Sequence, residues 1–286
     1  MSVGMGPRAC VIGHPIAQSR SPMLHGYWLR TLGIAGSYER VDVPLDQVPA
    51  FFAGFHAQGF TGCNVTAPNK EAALRAVARV EPAAAMIGAV NTVWTEGGAL
   101  VGGNTDVHGF SANLDDRAPG WDLGARHALL LGAGGATRAA IVALRARGLS
   151  VTLANRTREN AEALAGYFNT LPGPAVSVAD WADLPAAMEG ADLLVNATVL
   201  GMAGKPPLAI DLASLPSRAT VYDIVYVPLE TDLLRQARAR GLRAVDGLGM
   251  LLHQAVPGFA RWFGVTPRVT PELRQLLEDD IQPRTE

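Results

Sequence analysis

Short apolar runs that alternate with longer segments of helical periodicity constrain the fold of this chain most. Runs such as residues 9–13 and 128–131 have the length of buried strands, and segments such as 21–32 and 136–147 have the spacing of amphipathic helices. This alternation is typical of βα units around a mainly parallel sheet. The predicted fold class is therefore α/β, and the glycines and prolines, 31 and 19 in number, suit its many tight turns.

One predicted hairpin interrupts the alternation and helps to divide the chain. Residues 90–95 and 99–104 flank the turn sequence Glu96-Gly97-Gly98. Residues 115–124 are predicted as a surface linker, after which regular βα units continue to residue 245. We expect a first domain over residues 1–105, completed by C-terminal helices within 247–286, and a Rossmann-type second domain over 106–246.

Composition and charge indicate a small-molecule partner. Lys and Arg number 24 against 26 Asp and Glu, and 49% of residues are hydrophobic, which excludes a disordered chain. The absence of a basic excess argues against nucleic acid. No sustained apolar stretch suggests a membrane segment, so a cytoplasmic protein without a membrane partner is expected. Neither a CxxC nor an HExxH spacing occurs, and no metal is predicted.

A glycine-rich sequence, LGAGGAT at 131–137, follows a predicted strand and opens a predicted helix. Such a turn brings backbone N–H groups and a helix N-terminus against a pyrophosphate. Thr137 occupies the place of the third glycine in the GxGxxG pattern. A glycine-rich turn without a ligand stays open on this motif alone.

The end of the next predicted strand indicates which dinucleotide would bind. An NAD enzyme usually presents a carboxylate to the ribose there, whereas this chain has Asn155, Arg156 and Thr157. A guanidinium matches the charge and geometry of a 2′-phosphate, which favours NADP over NAD. The alternative is a solvated arginine pair, Arg156 and Arg158, at a helix start.

Polar residues also stand at predicted helix starts in the first domain. Ser21 before Pro22 has the pattern of a helix cap, although Ser19 and Ser21 together can bind a carboxylate. Lys70 falls in a first helical turn, where the helix dipole disfavours a cation, and such a lysine can donate and accept a proton. A lysine whose side chain turns out to water is the alternative. Asp106 can be a cap and Asn91 a turn residue.

Eleven short motifs, in one order, make the chain resemble the shikimate dehydrogenase family along nearly its whole length. No single motif is decisive, but their number and order are specific. They are GHPI at 13–16, SRSPMLH at 19–25, NVTAPNK at 64–70, GAVNT at 88–92, NTD at 104–106, GAGGA at 132–136, NRT at 155–157, NAT at 196–198, DIVY at 223–226, DGLGM at 246–250 and QA at 254–255.

The resemblance implies reversible reduction of 3-dehydroshikimate to shikimate with NADPH, a step toward chorismate and the aromatic amino acids. It implies a substrate-binding first domain and an NADP-binding second domain. Lys70 would be the acid/base residue and Asp106 its partner. The implied substrate contacts are Ser19, Ser21, Asn64, Thr66, Asn91, Asp106, Tyr226 and Gln254. The implied cofactor contacts are Gly132, Ala133, Gly134, Gly135 and Ala136 at the pyrophosphate, Asn155, Arg156 and Thr157 at the 2′-phosphate, and Ile224, Gly247 and Met250 near the nicotinamide.

Three residues depart from the family pattern. Gln18 stands where histidine is frequent, Asn160 where a second base often lies near the 2′-phosphate, and Val199 where serine is frequent. Arg158 is close enough in sequence to take the place of the missing base. None of the three removes a residue with an assigned chemical role.

Other functions stay open at this level. A paralogue acting on quinate or aminoshikimate would use the same Lys70 and Asp106, and one pocket contact can decide between such substrates. A folate-type methylene dehydrogenase shares the two-domain layout and an important lysine, but it has no evident use for the pair Ser19 and Ser21. A non-catalytic NADP-binding sensor would be expected to lack Lys70 or Asp106. The sequence does not determine the oligomeric state, for which a homodimer is one expectation.

Overall fold

The structure, a computed structural model, describes residues 6–282 and divides them into two compact units. The first unit comprises residues 6–106 and 252–277, and the second comprises residues 107–251 and 278–282. Each unit has its own six-stranded sheet. Helices α5 (Asp106–Arg117), α10 (Leu248–Phe263) and α11 (Pro271–Ile281) cross the limits between the units.

The first unit has a mixed sheet. Its elements are β1 (Arg8–Gly13), α1 (Ser21–Thr31), β2 (Ser37–Asp42), α2 (Val48–Ala53), β3 (Gly62–Val65), α3 (Lys70–Ala76), β4 (Arg79–Val80), α4 (Pro82–Ile87), β5 (Thr92–Glu96) and β6 (Ala99–Gly103). The strand order is β2-β1-β3-β5-β6-β4. Strand β1 pairs in parallel with β2 and β3, and β4 with β6, while β5 is antiparallel to both of its neighbours.

The predicted hairpin is confirmed in β5 and β6. Glu96 pairs with Ala99 across a two-residue loop, and both loop residues, Gly97 and Gly98, have positive φ angles of 59° and 79°. A tight hairpin turn of this kind requires positive φ at both central positions, which glycine adopts without steric cost.

The indole ring of Trp262 packs closely against strands β3 and β5 of the first unit. Trp262 Nε1–H donates to the carbonyl of Val93 at 2.9 Å. A Cβ at Gly62 would lie only 1.8 Å from Trp262 Nε1. Glycine is therefore needed on β3 where the ring crosses it.

The second unit has an all-parallel sheet. Its elements are β7 (His127–Leu131), α6 (Gly135–Ala146), β8 (Ser150–Ala154), α7 (Arg158–Asn169), β9 (Val176–Ala179), α8 (Leu184–Glu189), β10 (Leu193–Asn196), β11 (Thr220–Asp223), α9 (Asp232–Ala239) and β12 (Arg243–Val245). The order β12-β11-β10-β7-β8-β9 is that of a Rossmann fold, with a switch point between β7 and β10. The predicted α/β class is confirmed.

The prediction of a surface linker over residues 115–124 is correct only in part: residues 118–124 form turns that are exposed except at Ala118, Trp121 and the half-buried Asp122. Helix α5 continues to Arg117, and Trp121 is only 3% exposed in the core of the second unit. Trp121 Nε1–H donates to Asp115 Oδ1 at 3.0 Å, so the indole is buried with its polar group satisfied. Pro119 and Gly120 do form exposed turns, with Gly120 at φ +72°, and these turns place the Trp121 ring in the core.

Helix α2 is short: it ends at Ala53, and Gly54 occupies its C-cap position. Within residues 6–282, no helix combines the length and the apolar character needed to cross a membrane. Cys10 and Cys63 are buried cysteines that form no disulfide bond. They occupy opposite positions on the neighbouring strands β1 and β3.

A buried carboxylate, Asp223, connects the ends of two strands and the start of a helix in the second unit. Its oxygens accept hydrogen bonds from Asn196 Nδ2 at 2.9 Å, Thr231 Oγ1 at 2.7 Å and Val225 N–H at 3.1 Å. Thr231 also caps α9 by accepting from Leu234 N–H. These three donors are neutral, and burial raises the pKa of Asp223 to about 6.

The raised pKa of Asp223 predicts that the wild-type protein loses stability as pH rises, because the buried carboxyl must then ionise. Asp223→Asn removes this pH dependence. The folded protein binds this proton more tightly than an unfolded chain in which the pKa of the carboxyl has its ordinary value of 3.8. The stabilisation is therefore fully present only below pH 3.8 and is lost as pH rises through 6. The free energy of unfolding of the variant minus that of the wild type should therefore rise by about 2 to 2.5 kcal/mol between pH 4 and pH 7.

Urea unfolding at several pH values measures this difference. Asparagine keeps an acceptor for Asn196 and Val225 and offers N–H to Thr231 Oγ1, so the hydrogen bonds survive. The exposed Asp183, exchanged for Asn, serves as the control and should give a nearly constant difference. Parallel stability curves for wild type and Asp223→Asn would contradict the prediction.

Candidate active site

Lys70 and Asp106 form a close ion pair in the first unit. Lys70 is the first residue of α3 and Asp106 the first residue of α5, and Lys70 Nζ lies 2.6 Å from Asp106 Oδ2. Their side chains are 29% and 14% exposed, so the pair is accessible but largely shielded from water. A charge-assisted hydrogen bond of this length is strong and directional. The ammonium keeps further N–H donors for a ligand.

Asn91 fixes the other oxygen of the carboxylate. Its Nδ2 donates to Asp106 Oδ1 at 2.8 Å, and its own Oδ1 accepts from Thr105 N–H at 2.8 Å and from Thr92 Oγ1 at 2.9 Å. Asp106 N–H in turn donates to Asn104 Oδ1 at 3.0 Å. The carboxylate is therefore held at both oxygens, one by Lys70 and one by Asn91.

The two capping alternatives raised by the sequence are wrong. Asp106 begins α5 rather than preceding it, and its oxygens contact Lys70 and Asn91. Helix α1 begins at Ser21 with Arg20 in the cap position, and no side chain caps it. Ser21 N–H instead donates to Ser19 Oγ at 3.4 Å. The helix starts one residue earlier than a Ser21 cap requires.

An arginine that the sequence did not single out supports the serine loop. Arg40 on β2 donates from Nε and Nη2 to the carbonyl of Ser19, at 3.0 and 2.6 Å. A positive charge thus lies beside Ser19 and close in sequence to the N-terminus of α1. Both features favour an anion near the two serines.

Asn64 is held from two sides. Its Nδ2 donates to the carbonyl of Asn91 at 3.2 Å, and its Oδ1 accepts from the Tyr38 hydroxyl at 2.6 Å. The Tyr38 ring stacks on His25 with centroids 4.0 Å apart. Burial lowers the pKa of His25 to about 3, so the imidazole is neutral packing rather than a charged group.

Thr66 and Gln254 lie in the same unit as these residues. The methyl group of Thr66 packs over Gly13, where a Cβ would be 2.5 Å away. Thr105 Oγ1 approaches Gln254 Oε1 at 3.5 Å, at the end of the network around Asn91. Tyr226 follows β11 in the second unit, half-buried, and its predicted substrate contact stays a prediction.

The glycine turn of the second unit has the backbone that a bound pyrophosphate requires. Gly132 has φ +109°, and a Cβ there would lie 3.1 Å from the carbonyl oxygen of Ala197. A Cβ at Gly134 or Gly135 would meet nothing within 4 Å, so space lies open above both. Gly134 N–H donates to Thr137 Oγ1 at 3.2 Å, which gives the buried threonine at the third glycine position a structural role.

A cavity of about 340 Å³ extends from this turn. It is lined by Gly132, Ala133, Gly134, Asn155, Arg156, Asn160, Trp181, Ala197, Thr198, Val199 and Leu200. These residues follow strands β7, β8, β9 and β10, at the carboxyl edge where Rossmann folds bind ligands. Asn155 Nδ2 donates to the carbonyl of Thr157 at 2.8 Å and shapes the loop that carries Arg156.

The two neighbouring arginines differ in their partners. Arg156 is exposed beside the cavity, and the structure gives it no hydrogen bond or ion pair within residues 6–282. Arg158 pairs with Glu162 at 2.7 Å and with Asp180 at 2.5 Å. The expectation that Arg158 replaces the missing base is therefore not supported, and Arg156 is the cation that lines the cavity. The donor set suits a dinucleotide with a 2′-phosphate.

Three further cofactor contacts implied by the resemblance lie in the second unit. A Cβ at Gly247 would lie 2.0 Å from the carbonyl oxygen of Ile224, so this close approach requires glycine. Met250 is buried in the core, against which Ile224 also packs. No group of three His, Cys, Asp or Glu side chains suited to a metal occurs in the part of the chain that the structure describes.

Comparisons with known proteins agree with the motifs. Three family models match: "Shikimate dehydrogenase substrate binding domain" over residues 11–93, "Shikimate / quinate 5-dehydrogenase" over 115–203 and "Shikimate 5'-dehydrogenase C-terminal domain" over 247–277. The shikimate dehydrogenase (NADP(+)) of Methylocella silvestris is 57% identical over 96% of this chain and 97% of its own length.

Solved structures give the same result. Shikimate 5-dehydrogenase of Thermus thermophilus in complex with NADP(H) and shikimate is 39% identical, with a TM-score of 0.80 over 96% of this chain and 98% of that one. Quinate dehydrogenase of Corynebacterium glutamicum in complex with NAD is 32% identical, with a TM-score of 0.86 over 95% and 98%. The resemblance seen in the sequence is confirmed: the chain belongs to the shikimate dehydrogenase family.

Proposed function

We propose that this chain catalyses the reversible reduction of 3-dehydroshikimate to shikimate with NADPH, a step toward chorismate and the aromatic amino acids. The observation that carries the proposal is the pair of Lys70 and Asp106, 2.6 Å apart and held by Asn91. The name of the Methylocella silvestris relative and the ligands of the Thermus thermophilus structure support it.

Reduction of a ketone needs a hydride at carbon and a proton at oxygen, and NADPH supplies the hydride when bound. Lys70 supplies the proton: its ammonium donates to the carbonyl oxygen as negative charge develops there. In the reverse direction the neutral amine takes the proton from the hydroxyl group. Asp106 keeps Nζ in place in both directions and compensates the positive charge of its protonated form.

Lysine at position 70 has a chemical reason. The chain has only two lysines, Lys70 and Lys205, among its 24 Lys and Arg residues. An arginine guanidinium stays protonated in proteins, whereas an ammonium can release and regain its proton. Lysine at position 70, in a chain whose other cations are mostly arginine, suits a position where a proton is exchanged.

The serine loop is proposed to hold the substrate carboxylate. Ser19 and Ser21 supply hydroxyl groups at the N-terminus of α1, and Arg40 adds positive charge beside Ser19. The remaining proposed contacts to the substrate hydroxyl groups or carboxylate are Asn64, Thr66, Asn91, Asp106, Tyr226 and Gln254. Of these, Asn64, Asn91 and Asp106 are joined by hydrogen bonds.

The second unit is proposed to bind NADP. The turn of Gly132, Ala133, Gly134, Gly135 and Ala136 would hold the pyrophosphate through backbone N–H groups. Arg156, with Asn155 and Thr157, would hold the 2′-phosphate, and Ile224, Gly247 and Met250 would lie near the nicotinamide. The first unit would then be the substrate-binding domain. A cytoplasmic location stays part of the proposal, and a homodimer stays a prediction that light scattering would test.

Removal of the amine is expected to abolish most turnover. Lys70→Ala should lower kcat for shikimate oxidation by about 10²- to 10⁴-fold, the usual contribution of an acid/base residue. Lys70→Arg should also be slow, because it keeps the charge without the proton exchange. Steady-state absorbance of NADPH measures both variants.

Two controls accompany these variants. Lys205→Ala removes the other lysine, which is exposed in the second unit, and should leave kcat unchanged. Calorimetric titration with adenosine 2′,5′-bisphosphate should show that Lys70→Ala still binds this fragment of NADP normally. Wild-type turnover in Lys70→Ala would refute the role assigned to the lysine.

Cofactor preference is expected to depend on Arg156. Arg156→Ala should weaken the binding of NADP⁺ by about 10- to 100-fold, because charge-assisted hydrogen bonds to the 2′-phosphate are lost. The binding of NAD⁺ should change little. Arg158→Ala is the matched control: since Arg158 pairs with Glu162 and Asp180, the ratio of the two affinities should not change. Equal weakening of NADP⁺ and NAD⁺ in Arg156→Ala, measured by calorimetry, is the result that would exclude this role.

A further inference from the structure

Asn113 is a fully buried polar side chain that the proposed function does not use. It lies on α5 within the second unit, and none of its surface is exposed. Its Nδ2 donates to the carbonyl of Asp246 at 2.7 Å and to the hydroxyl of Tyr222 at 2.9 Å. Tyr222 on β11 pairs with Val245 on β12, the residue before Asp246. Both N–H groups of the amide therefore contact the place where these two strands end.

The oxygen of the same amide distinguishes Asn113 from a side chain that only fills space. Among the residues that the structure describes, none donates a hydrogen bond to Asn113 Oδ1, which is buried. A buried amide oxygen without a hydrogen bond lowers the stability of a fold. An apolar side chain would fill this space without that loss. The reason for asparagine at this position therefore lies in what its N–H groups hold.

Two glycines bring the start of α10 into close contact with its neighbours. A Cβ at Gly249 would lie 1.8 Å from Asn113 Oδ1, so the backbone can approach the amide this closely only with glycine. A Cβ at Gly247 would lie 2.0 Å from the carbonyl oxygen of Ile224. The segment 247–249 is thus fixed at two points, one against Ile224 and one against Asn113.

Asp246 connects Asn113 to the same segment. Strand β12 ends at Val245, and the next carbonyl, that of Asp246, takes a hydrogen bond from Asn113. The carboxylate of Asp246 accepts from Leu248 N–H at 3.1 Å, at the first residue of α10. A shift of the Asn113 amide would therefore move the main chain from which α10 begins.

We propose that Asn113 is a positioning residue for hydride transfer, which keeps Gly247 and Met250 in place at the nicotinamide of bound NADP. The inference rests on the proposed function, in which Gly247 and Met250 lie near that ring. Asn113 does not touch the cofactor and acts through the Asp246 carbonyl and through Gly249. A misplacement of about 1 Å by a distant substitution can slow a reaction strongly, so an indirect contact of this kind can control turnover.

Amide hydrogen exchange tests the contact in the protein without ligand. Asn113→Ala removes both N–H groups, so exchange in residues 246–251 should become about 2- to 12-fold faster, as expected for loss of a hydrogen bond. Exchange in β8 should not change. Tyr222→Phe is the matched control, because it removes one hydrogen bond from the same buried cluster and leaves the bond between Asn113 and Asp246. It should leave the exchange of residues 246–251 near that of the wild type.

Calorimetry separates the two ends of the cofactor. Adenosine 2′,5′-bisphosphate lacks the nicotinamide and should bind Asn113→Ala as it binds the wild type. NADP⁺ should bind this variant about 2- to 10-fold more weakly. Tyr222→Phe should bind both ligands as the wild type does.

Turnover should separate positioning from general loss of structure. Per site that binds adenosine 2′,5′-bisphosphate, kcat for shikimate should fall by about 10- to 100-fold in Asn113→Ala, with the KM of shikimate unchanged. The primary isotope effect with shikimate deuterated at the carbon that is oxidised should increase, because hydride transfer becomes the slower step.

Gly249→Ala tests the same contact from the helix. Its methyl group would meet Asn113 Oδ1 and displace the amide, so NADP⁺ affinity and kcat should fall as in Asn113→Ala. In the Asn113→Ala background that oxygen is absent, and Gly249→Ala should then add little. Gly249→Ala also decides the question if Asn113→Ala does not fold.

The possible failures are distinguishable. Wild-type exchange, NADP⁺ affinity and kcat in Asn113→Ala or in Gly249→Ala would overturn the role of Asn113 while the proposed function stands. Equal weakening of NADP⁺ and adenosine 2′,5′-bisphosphate would also overturn it, since that result indicates a general structural role. If the wild type oxidises no shikimate with NADP⁺, the proposed function fails, and positioning for hydride transfer fails with it.

Discussion

The short contact between Lys70 and Asp106 is the interaction on which the proposed chemistry depends. The two residues are 36 positions apart, and each is the first residue of a helix that follows a strand of the same sheet. Asn91 holds the second carboxylate oxygen, and Asn91 is itself held by Thr92 and Thr105. The ammonium thus has one defined position, which a group that must deliver a proton to one oxygen atom requires.

The same design recurs in both units, because functional groups collect where a strand passes into a helix. Ser19 lies between β1 and α1, Ser21 begins α1, and Lys70 begins the helix after β3. In the second unit the glycine turn lies between β7 and α6, and Arg156 lies between β8 and α7. Helix N-termini present N–H groups and positive potential there, which suits the carboxylate of the proposed substrate and the phosphates of the proposed cofactor.

The local sequence pattern predicted helices and strands well where apolar residues follow a clear spacing. The predicted strands 9–13 and 128–131 agree within one residue with Arg8–Gly13 and His127–Leu131, and the predicted helices 21–32 and 136–147 agree within one residue with Ser21–Thr31 and Gly135–Ala146. In the predicted linker over residues 115–124, the turn residues Pro119 and Gly120 were read correctly, but the burial of Trp121 was not. That burial depends on tertiary packing, which a local pattern does not contain.

Site features that depend on contacts between distant segments could not be predicted. The hydrogen bond from Tyr38 to Asn64, the position of Arg40 at the serine loop and the pairing of Arg158 with Asp180 join residues of different elements. Trp181 lies 25 residues after Arg156, and only the parallel order of β8 and β9 brings both to one cavity. The polar run Asn104-Thr105-Asp106 after an apolar strand was the available signal for the network around Asn91.

The site is proposed to oxidise shikimate with NADP⁺ and to reduce 3-dehydroshikimate with NADPH. The most direct test is the initial rate of NADPH or NADH formation by the purified protein with shikimate and with quinate, each with NADP⁺ and with NAD⁺. The proposed function predicts strong activity with shikimate and NADP⁺ and weak activity with NAD⁺. Comparable turnover of quinate with NAD⁺ would contradict it.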